Sequence, residues 1–391
     1  MKKNIFLDYA AATPIDSRVQ RAILRYMKIF GNPSSLHRIG REAKSVLNDS
    51  RRRVAGILNC RPEEIIFTGS GTESDNLGIL GTAMAYEKMG KHIVTSKIEH
   101  HAVLRACRFL EKERGFKITY VDVGSNGIIN PETVRRALRS DTILVSIVYA
   151  NNEIGTIQSI KEIAKVIKES KNKPSGIHKI KPIFHTDACQ AAGAEDLNVQ
   201  NLGVDSLTLN GSKIYGPKGI GCLYVRRGVS LHPIIFGGDQ EGGLRSGTEN
   251  VPAIAGFAEA LEIIGGEIGR GKRRISELRD YLIAHILNKI PDSHLNGDPI
   301  LRLPNNVSIS FKNIDGEMLV LLLDQEGISV STGAACTTTD SGPSHVLKAI
   351  KSPSGWGNVR ITLGRETTKK DVDYILKVLP TIVQKLRSFS K

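Results

Sequence analysis

The lysine at position 213 occupies an unusual place for a charged side chain. Lys213 follows a short apolar run at 206–209 and the small polar residues Asn210-Gly211-Ser212. The Gly-Pro-Lys-Gly segment at 216–219 then predicts a turn. Most lysines keep the ammonium group in water, but burial lowers the pKa of a lysine and frees its amine for Schiff-base chemistry. The position is consistent with such chemistry and, taken alone, also with an ordinary lysine after a strand.

A loop of small residues between a strand and a helix is the second candidate. The pattern predicts a strand at 64–68, the loop Gly69-Ser70-Gly71-Thr72, and a helix that begins near Glu73. Backbone N–H groups and the helix dipole converge at such a helix start, and glycines let a phosphate come close. The loop is neither a Walker A sequence nor GxGxxG. An anion site and a plain strand–helix turn both fit it.

Several polar residues follow predicted strands along the first two thirds of the chain. The strands are predicted at 93–96, 118–123, 142–148, 183–187, 206–209 and 221–225, with helical patterns between most of them. This alternation predicts an α/β domain with a mostly parallel sheet, in which ligands bind at the carboxyl ends of the strands. The polar residues found there are Thr72, His100, Asn152, Asp187, Gln190 and Lys213. We therefore expect one shared site.

The two ends of the chain predict a second, smaller unit. Residues 7–14 lack periodicity and predict an extended arm that runs over the surface or into a site. After a long helix at about 251–287, short strands and helices indicate an α+β domain, and Pro380 is expected to kink or shorten the last helix. We expect a large domain at 15–258 and a small domain formed by 1–14 and 259–391.

Composition narrows the possible partners. The chain has 391 residues, a formal net charge of +14 and five cysteines. Its basic residues are not interleaved with aromatic ones, so a solvated basic surface is favoured over a nucleic-acid platform. No apolar run approaches the roughly 20 residues of a membrane span, and no signal-type segment begins the chain, which favours a cytoplasmic protein without a membrane partner. An odd number of cysteines without CxxC spacing favours neither a disulfide framework nor a metal site.

Eight motifs in this order resemble those of pyridoxal 5'-phosphate (PLP) enzymes with the aspartate-aminotransferase fold, and most closely cysteine desulfurases of the NifS/IscS type. They read LDYAAATP at 7–14, FTGSGTESDN at 67–76, TSKIEH at 95–100, NNEIG at 151–155, HTDACQ at 185–190, KIYGPKG at 213–219, RSGTEN at 245–250 and STGAAC at 331–336. The resemblance extends from residue 7 to about residue 386. It implies that PLP is the cofactor and that L-cysteine is converted to L-alanine.

The resemblance implies roles for the residues around the cofactor ring. Lys213 would hold PLP covalently and then move the α-proton of the substrate. Asp187 would pair with the pyridinium nitrogen, and Gln190 would bind the 3-oxygen of the ring. His100 would stack on the ring and take part in proton transfer, although a packed core histidine is the alternative. Asn152 would help to fix the cofactor or the substrate.

The phosphate would be bound partly by residues that depart from the family pattern. Thr72 and the backbone of Gly71 match the family. Relatives usually have Ser-x-His-Lys at the lysine, whereas this chain has Asn210-Gly-Ser212-Lys. The Ser212 hydroxyl and the Asn210 amide can replace two of the missing hydrogen bonds, but the imidazole is gone. Thr248 matches a residue that reaches the phosphate of the other subunit, which implies a homodimer with shared sites.

The sulfur chemistry would depend on Cys336. The resemblance implies that its thiolate attacks the substrate sulfur and carries a persulfide to an acceptor protein, with an iron–sulfur scaffold as one candidate. The other four cysteines, Cys60, Cys107, Cys189 and Cys222, lie in or beside predicted core elements. Arg360 matches the arginine that binds the substrate carboxylate and is favoured over Arg365.

Two other functions stay open from the sequence. A related lyase acting on selenocysteine or cysteine sulfinate would use the same fold without needing Cys336. A basic binding protein that has lost catalysis is a third reading, which the presence of Lys213, Asp187 and Cys336 disfavours. The motifs do not identify the sulfur acceptor, since iron–sulfur clusters, tRNA thiolation and DNA sulfur modification all draw on such enzymes.

Overall fold

The computed structural model describes residues 4–170, 181–333 and 344–389. The strands are β1 (Ile5–Phe6), β2 (Ile65–Thr68), β3 (His92–Ser96), β4 (Lys117–Val121), β5 (Thr142–Ser146), β6 (Ile183–Asp187), β7 (Ser206–Asn210), β8 (Gly221–Val225), β9 (Ser293–Leu295), β10 (Asn306–Phe311), β11 (Ile328–Ser329) and β12 (Gly357–Thr362). The α-helices are α1 (Ser17–Tyr26), α2 (Arg38–Leu58), α3 (Gly71–Asn76), α4 (Thr82–Tyr86), α5 (His101–Arg114), α6 (Pro131–Ala137), α7 (Ile160–Ser170), α8 (Val199–Leu202), α9 (Val251–Lys289), α10 (Gly316–Gln325), α11 (His345–Ala349) and α12 (Lys369–Phe389).

A seven-stranded sheet forms the centre of the larger part of the molecule. Its strand order is β2-β8-β7-β6-β5-β3-β4. Only β8 runs antiparallel to its neighbours, β2 and β7, while all the other pairs are parallel. The predicted α/β architecture with a mostly parallel sheet is therefore confirmed. In this order the carboxyl ends of β2, β3, β5, β6 and β7 share one edge of the sheet.

The central strands of this sheet are short and buried because helices cover both faces. Every residue of β5, with the sequence TILVS, is buried, and the same holds for β3, β6 and β8. Such strands are typical of a parallel sheet that packs on both sides, since neither face can carry an alternating polar row. The sheet is thus a rigid buried layer, and the polar side chains within its strands are buried, as His92 and His185 are.

A second apolar core lies around a small three-stranded antiparallel sheet of order β12-β10-β9. The long helix α9 contributes to both cores: Ile254, Leu261 and Ile264 pack in the first, and Leu282 and Ile286 pack in the second. β1 pairs in parallel with β11 and so ties the N-terminus to this smaller core. The domain limits at 14/15 and 258/259 stay a prediction.

The last helix differs from its prediction. α12 continues through Pro380 to Phe389, so proline does not shorten it, and the kink expected as the alternative stays a prediction. Proline removes one backbone hydrogen bond within a helix. On both sides of it, however, the buried residues Leu376, Leu379 and Val383 pack in the smaller core and hold the helix in place. Within the described residues, no helix is both long and apolar enough to cross a bilayer.

Candidate active site

The predicted site residues lie at the shared carboxyl edge of the large sheet. His100 follows β3, Asn152 follows β5, Asp187 ends β6, and Lys213 follows β7. Gly71 begins the helical run that comes after β2 and that continues from α3 through one π-helical turn into α4. Five separate loops are therefore positioned by one rigid layer, as is expected for ligand sites of parallel sheets.

The amine of Lys213 is held by the N-terminal arm. Its Nζ donates to the carbonyl oxygens of Ala10 at 2.9 Å and Ala11 at 2.6 Å. Gln190 Nε2 donates to the same Ala10 oxygen at 2.9 Å. The backbone N–H of Thr13 donates to Ser212 O at 2.9 Å and fastens the arm to the lysine turn. The arm thus runs into the site, one of the two courses expected from the sequence, and it brings Lys213 and Gln190 together.

Buried ionisable groups surround the carboxylate position at the end of β6. Asp187 Oδ1 accepts a hydrogen bond from Cys189 N at 2.9 Å. Burial raises the pKa of Glu99 to about 8 and raises the pKa of Asp75 well above its usual range. Burial also lowers the pKa of His185 to about 4, so its imidazole is neutral at pH 7. Protonation of the two buried carboxyls avoids further negative charge beside Asp187.

His100 has its ring orientation fixed by the helix that follows it. It is the N-cap residue of α5, and its Nδ1 accepts from Ala102 N at 3.1 Å. The acceptor role places the proton of the neutral ring on Nε2. His100 and Thr72 both line a cavity of about 540 Å³ beside α5. The structure therefore brings these two predicted residues to one space.

At the start of α3, Gly71 packs closely against Cys189 and Asn210, and these three residues form what we call the cradle. A Cβ atom placed on Gly71 would lie 2.8 Å from Cys189 Sγ and 3.1 Å from Asn210 Cβ, so only glycine fits. Asn210 Oδ1 accepts from both the N–H and the hydroxyl of Ser212, each at 3.2 Å. The two residues that depart from the family pattern are therefore ordered, because Asn210 holds Ser212 next to the start of α3. Sequence reasoning did not find the contribution of Cys189 to this packing.

The structure brings Arg360 and Asn152 together. The guanidinium is 2% exposed, and its Nη1 donates to Asn152 O at 3.1 Å and to Gly333 O at 3.2 Å. Its Nη2 donates to Asp8 Oδ1 at 2.8 Å. Asp8 was missed by the sequence reasoning, although it is the only charged residue of the arm at 7–14.

The neighbouring arginine has a different environment. Arg365 stacks on the ring of Tyr215, with 4.2 Å between its Cζ and the ring centroid. It also pairs with Asp16 and Glu267, each at 3.2 Å. These contacts hold it away from Asn152, so the geometry is consistent with the preference for Arg360.

Thr248 lies on an exposed part of the glycine-rich loop at 237–248. Arg245 pairs with Glu73 of α3 at 2.8 Å, and Glu241 pairs with Arg51 of α2 at 2.6 Å. The N–H of Phe67 in β2 also donates to Glu241 at 2.9 Å. The loop is therefore fastened beside the cradle of its own chain, while Thr248 faces outward.

The predicted nucleophile Cys336 lies outside the described residues. The residues that flank its segment are positioned by the site: Gly333 accepts from Arg360, and Ser344 donates its hydroxyl to Glu153 at 2.5 Å.

Of the other cysteines, Cys60 is half-buried, and Cys107, Cys189 and Cys222 are buried, which confirms that they pack in or beside the core. Burial raises the pKa of the Cys60 thiol to about 12. Among the residues that the structure describes, no group of three His, Cys, Asp or Glu is arranged to hold a metal ion.

Comparisons with known proteins agree along the whole chain. Residues 5–375 match the model of the family described as aminotransferase class-V. The chain is 48% identical to a cysteine desulfurase IscS of Dictyoglomus turgidum, covering 100% of this chain and 97% of that relative. It is also 48% identical to a cysteine desulfurase IscS of Methanosarcina thermophila, with coverages of 99% and 94%.

Solved structures show the same relationship. A NifS-like protein superposes with a TM-score of 0.90 at 37% identity, covering 98% of this chain and all of that one. A structure described as SspA in complex with cysteine superposes with a TM-score of 0.79 at 33% identity, covering 94% of this chain and all of that one.

Proposed function

The chain belongs to the aminotransferase class-V family, and from this membership we propose that it is a PLP-dependent cysteine desulfurase, which converts L-cysteine to L-alanine and transfers the sulfur through a persulfide of Cys336. The family and the fold predicted from the motifs are confirmed. The observation that carries the proposal is that Lys213 and Asp187 share one edge of the large sheet, and that Arg360 of β12 contacts Asn152 at that edge, in a chain that matches cysteine desulfurases over its full length.

The residues present fit the cofactor. The tight cradle at Gly71 and the start of a helix offer backbone N–H donors for a phosphate, and the Ser212 hydroxyl, which donates to Asn210 Oδ1 in the free chain, would turn to donate to the phosphate. Thr72 and Asn210 would add to this set. When bound, PLP supplies an electron sink for the bonds at the substrate α-carbon. Lys213 would hold it covalently, while Asp187 and Gln190 would bind its ring nitrogen and its 3-oxygen.

A few side chains would bind the substrate and transfer protons. Arg360 would bind the α-carboxylate of L-cysteine with the help of Asn152, whose backbone oxygen accepts a hydrogen bond from the guanidinium. The Lys213 amine, once released from the cofactor, would take the α-proton. His100, whose Nδ1 accepts from Ala102 N, would take part in proton transfer on the α5 side of the site. The loops of Lys213 and His100 are fixed by the strands that precede them, and Arg360 is fixed within β12.

Cys336 would carry out the sulfur transfer. Its thiolate would form a bond to the substrate sulfur while the C–S bond of the substrate breaks. The electron pair of that bond stays with the substrate carbon, which takes up a proton to become the methyl group of alanine. The resulting persulfide can then pass its outer sulfur to a thiolate of an acceptor protein. We propose a protein acceptor, and the IscS names of the relatives favour an iron–sulfur scaffold.

A homodimer would complete the phosphate site. Thr248 is exposed on a loop that is fastened to the cradle region, so it is available to a second copy of the chain. Large apolar side chains are also exposed, among them Phe30, Leu36 and Phe236. A partner would cover such side chains where they form one continuous patch. Together these features support a homodimer in which Thr248 of each subunit reaches the cofactor of the other.

The reaction can be tested on purified protein with its visible spectrum recorded. Wild type, Cys336→Ala and the control Cys60→Ala are given L-cysteine with a reductant, and alanine and sulfide are measured. We expect a yellow protein whose alanine production is lost in Cys336→Ala and kept in Cys60→Ala. Full activity of Cys336→Ala would instead favour a lyase, to be tested with selenocysteine and cysteine sulfinate. A colourless and inactive protein, even after PLP is added, would contradict the proposal.

A further inference from the structure

The guanidinium of Arg360 is already paired with a carboxylate of its own chain. Asp8 Oδ1 accepts from Nη2 at 2.8 Å, and the side chain of Asp8 is 18% exposed whereas that of Arg360 is 2% exposed. The Nε–H of Arg360 is buried and has no hydrogen-bond partner within the described part of the chain. One edge of this buried cation is therefore engaged by a single contact, and its Nε–H is a donor that no described residue uses.

We propose that Asp8 is an internal competitor for the amino-acid carboxylate: it occupies the binding edge of Arg360 in the free enzyme and sets the affinity for substrate and product. This inference rests on the proposed function, in which Arg360 binds the α-carboxylate. It makes Asp8 a specificity-determining residue that acts on the substrate through Arg360.

The geometry leaves one edge of the guanidinium for an incoming carboxylate. Nη1 is used by the carbonyl oxygens of Asn152 and Gly333. The N–H groups of Nε and Nη2 point the same way, and an arginine binds a carboxylate through two such parallel hydrogen bonds. Asp8 contacts the Nη2 end of this edge. A substrate carboxylate must therefore share the edge with Asp8 or displace it.

The charge of Asp8 has two opposite effects: it stabilises the free enzyme, and it weakens the binding of a substrate carboxylate. A buried guanidinium without a counter-ion is strongly unfavourable, and Asp8 neutralises it when no amino acid is bound. A second carboxylate at the same edge is repelled by Asp8. The backbone of Asp8 is fixed, since its carbonyl accepts from Ala11 N at 3.0 Å, but the partly exposed side chain can turn toward solvent. The substrate is bound at the expense of one internal ion pair, which also favours release of L-alanine.

Asp8→Asn tests this directly, because the amide keeps the shape of the side chain and removes its charge. The dissociation constants of L-alanine and of ethylamine, which lacks the carboxylate, are measured on the PLP-loaded enzyme by the visible absorption of the cofactor. We expect L-alanine to bind roughly five- to tenfold more tightly to Asp8→Asn. Removal of the like charge strengthens binding, and solvent screening at the partly exposed site limits the size of this gain. Ethylamine binding should stay the same, and KM for L-cysteine should fall by the same factor as the L-alanine constant.

Controls separate this role from a structural one. Asp16→Asn removes the charge that pairs with Arg365 and keeps the hydrogen-bond acceptor that caps α1, so both constants should stay at wild-type values. Asp8→Ser replaces Asp8→Asn if the amide variant does not fold. Unchanged or weaker L-alanine binding in the Asp8 variant that folds, or an equal change for ethylamine, would overturn the inference. A wild type that binds L-alanine but makes none from L-cysteine would refute the proposed function alone.

Discussion

The cradle at the start of α3 permits a sharp test of how tightly the phosphate site is packed. In Gly71→Ala the new Cβ would lie 2.8 Å from Cys189 Sγ and 3.1 Å from Asn210 Cβ, whereas unstrained contacts between carbon atoms are about 3.5–4.0 Å. Alanine in a helix is otherwise favoured over glycine by about 0.5–1 kcal/mol. Overpacking of this kind costs about 1–3 kcal/mol, so the clash is expected to win.

The strain falls on the residues proposed to bind the phosphate, so it should appear in cofactor affinity. We expect the PLP dissociation constant of Gly71→Ala, measured by absorbance titration of the cofactor-free protein, to rise at least about tenfold, equivalent to about 1.4 kcal/mol. Cys189→Ala alone should change it by less than about threefold. Because that substitution removes the closest atom, Gly71→Ala with Cys189→Ala should recover most of the affinity, with a coupling of about 0.5–3 kcal/mol.

A matched control uses another buried cysteine that does not contact the cradle. Gly71→Ala combined with Cys107→Ala should bind PLP as poorly as Gly71→Ala alone, because Cys107 is not among the atoms nearest to the new Cβ. If Gly71→Ala binds PLP normally, the close packing at the helix start does not matter for the cofactor. If Cys189→Ala gives no recovery, the clash with the sulfur is not the cause of the loss.

Three further outcomes follow from packing and burial. Glu241→Gln breaks an ion pair in which the glutamate side chain is 2% exposed, so it should lower the free energy of unfolding by about 3–5 kcal/mol, whereas Asp49→Asn, from an exposed pair, should change it by less than about 1 kcal/mol in the same urea titrations. Gly269→Ala in α9 and Gly56→Ala in α2 add a Cβ that meets no atom within 4 Å; each should therefore raise stability by about 0.5–1 kcal/mol, and a loss in either thermal melt would contradict this. Burial raises the pKa of Glu99 to about 8 in the folded state, above its unfolded value of 4.5, so stability should fall as the pH rises from about 4.5 through 8. Glu99→Gln should remove this part of the pH dependence, which urea midpoints at pH 5 and pH 8 can measure for both proteins.

The sequence by itself determined the family and the layered fold, and it named the residues that we propose for the site. Alternating apolar runs and helical patterns predict a parallel sheet because a strand that is buried on both faces has a mostly apolar sequence, and β5, with Ile143, Leu144 and Val145 at its centre, meets this condition. Polar residues placed directly after such strands are brought together by the sheet, whatever the details of packing. For this reason Lys213, Asp187 and Asn152 could be named before their contacts were known.

Only the tertiary structure decided which distant residues share a contact. Asp8 and Arg360 are 352 positions apart, and the arm is held next to Arg360 by Leu7, whose carbonyl accepts from the N–H of Thr362 at the end of β12. No local pattern encodes such a contact, because it depends on how two chain ends pack into one small sheet.

The same holds for protonation and for helix length. The raised pKa of Glu99 follows from complete burial, which its sequence neighbours do not reveal. Pro380 lies inside a helix because the smaller core packs against that helix on both sides of it. The local sequence thus determines the pattern of helices and strands and the chemistry of each side chain. Burial and long-range packing determine the protonation state of a side chain, its contact partners and the strain at its position.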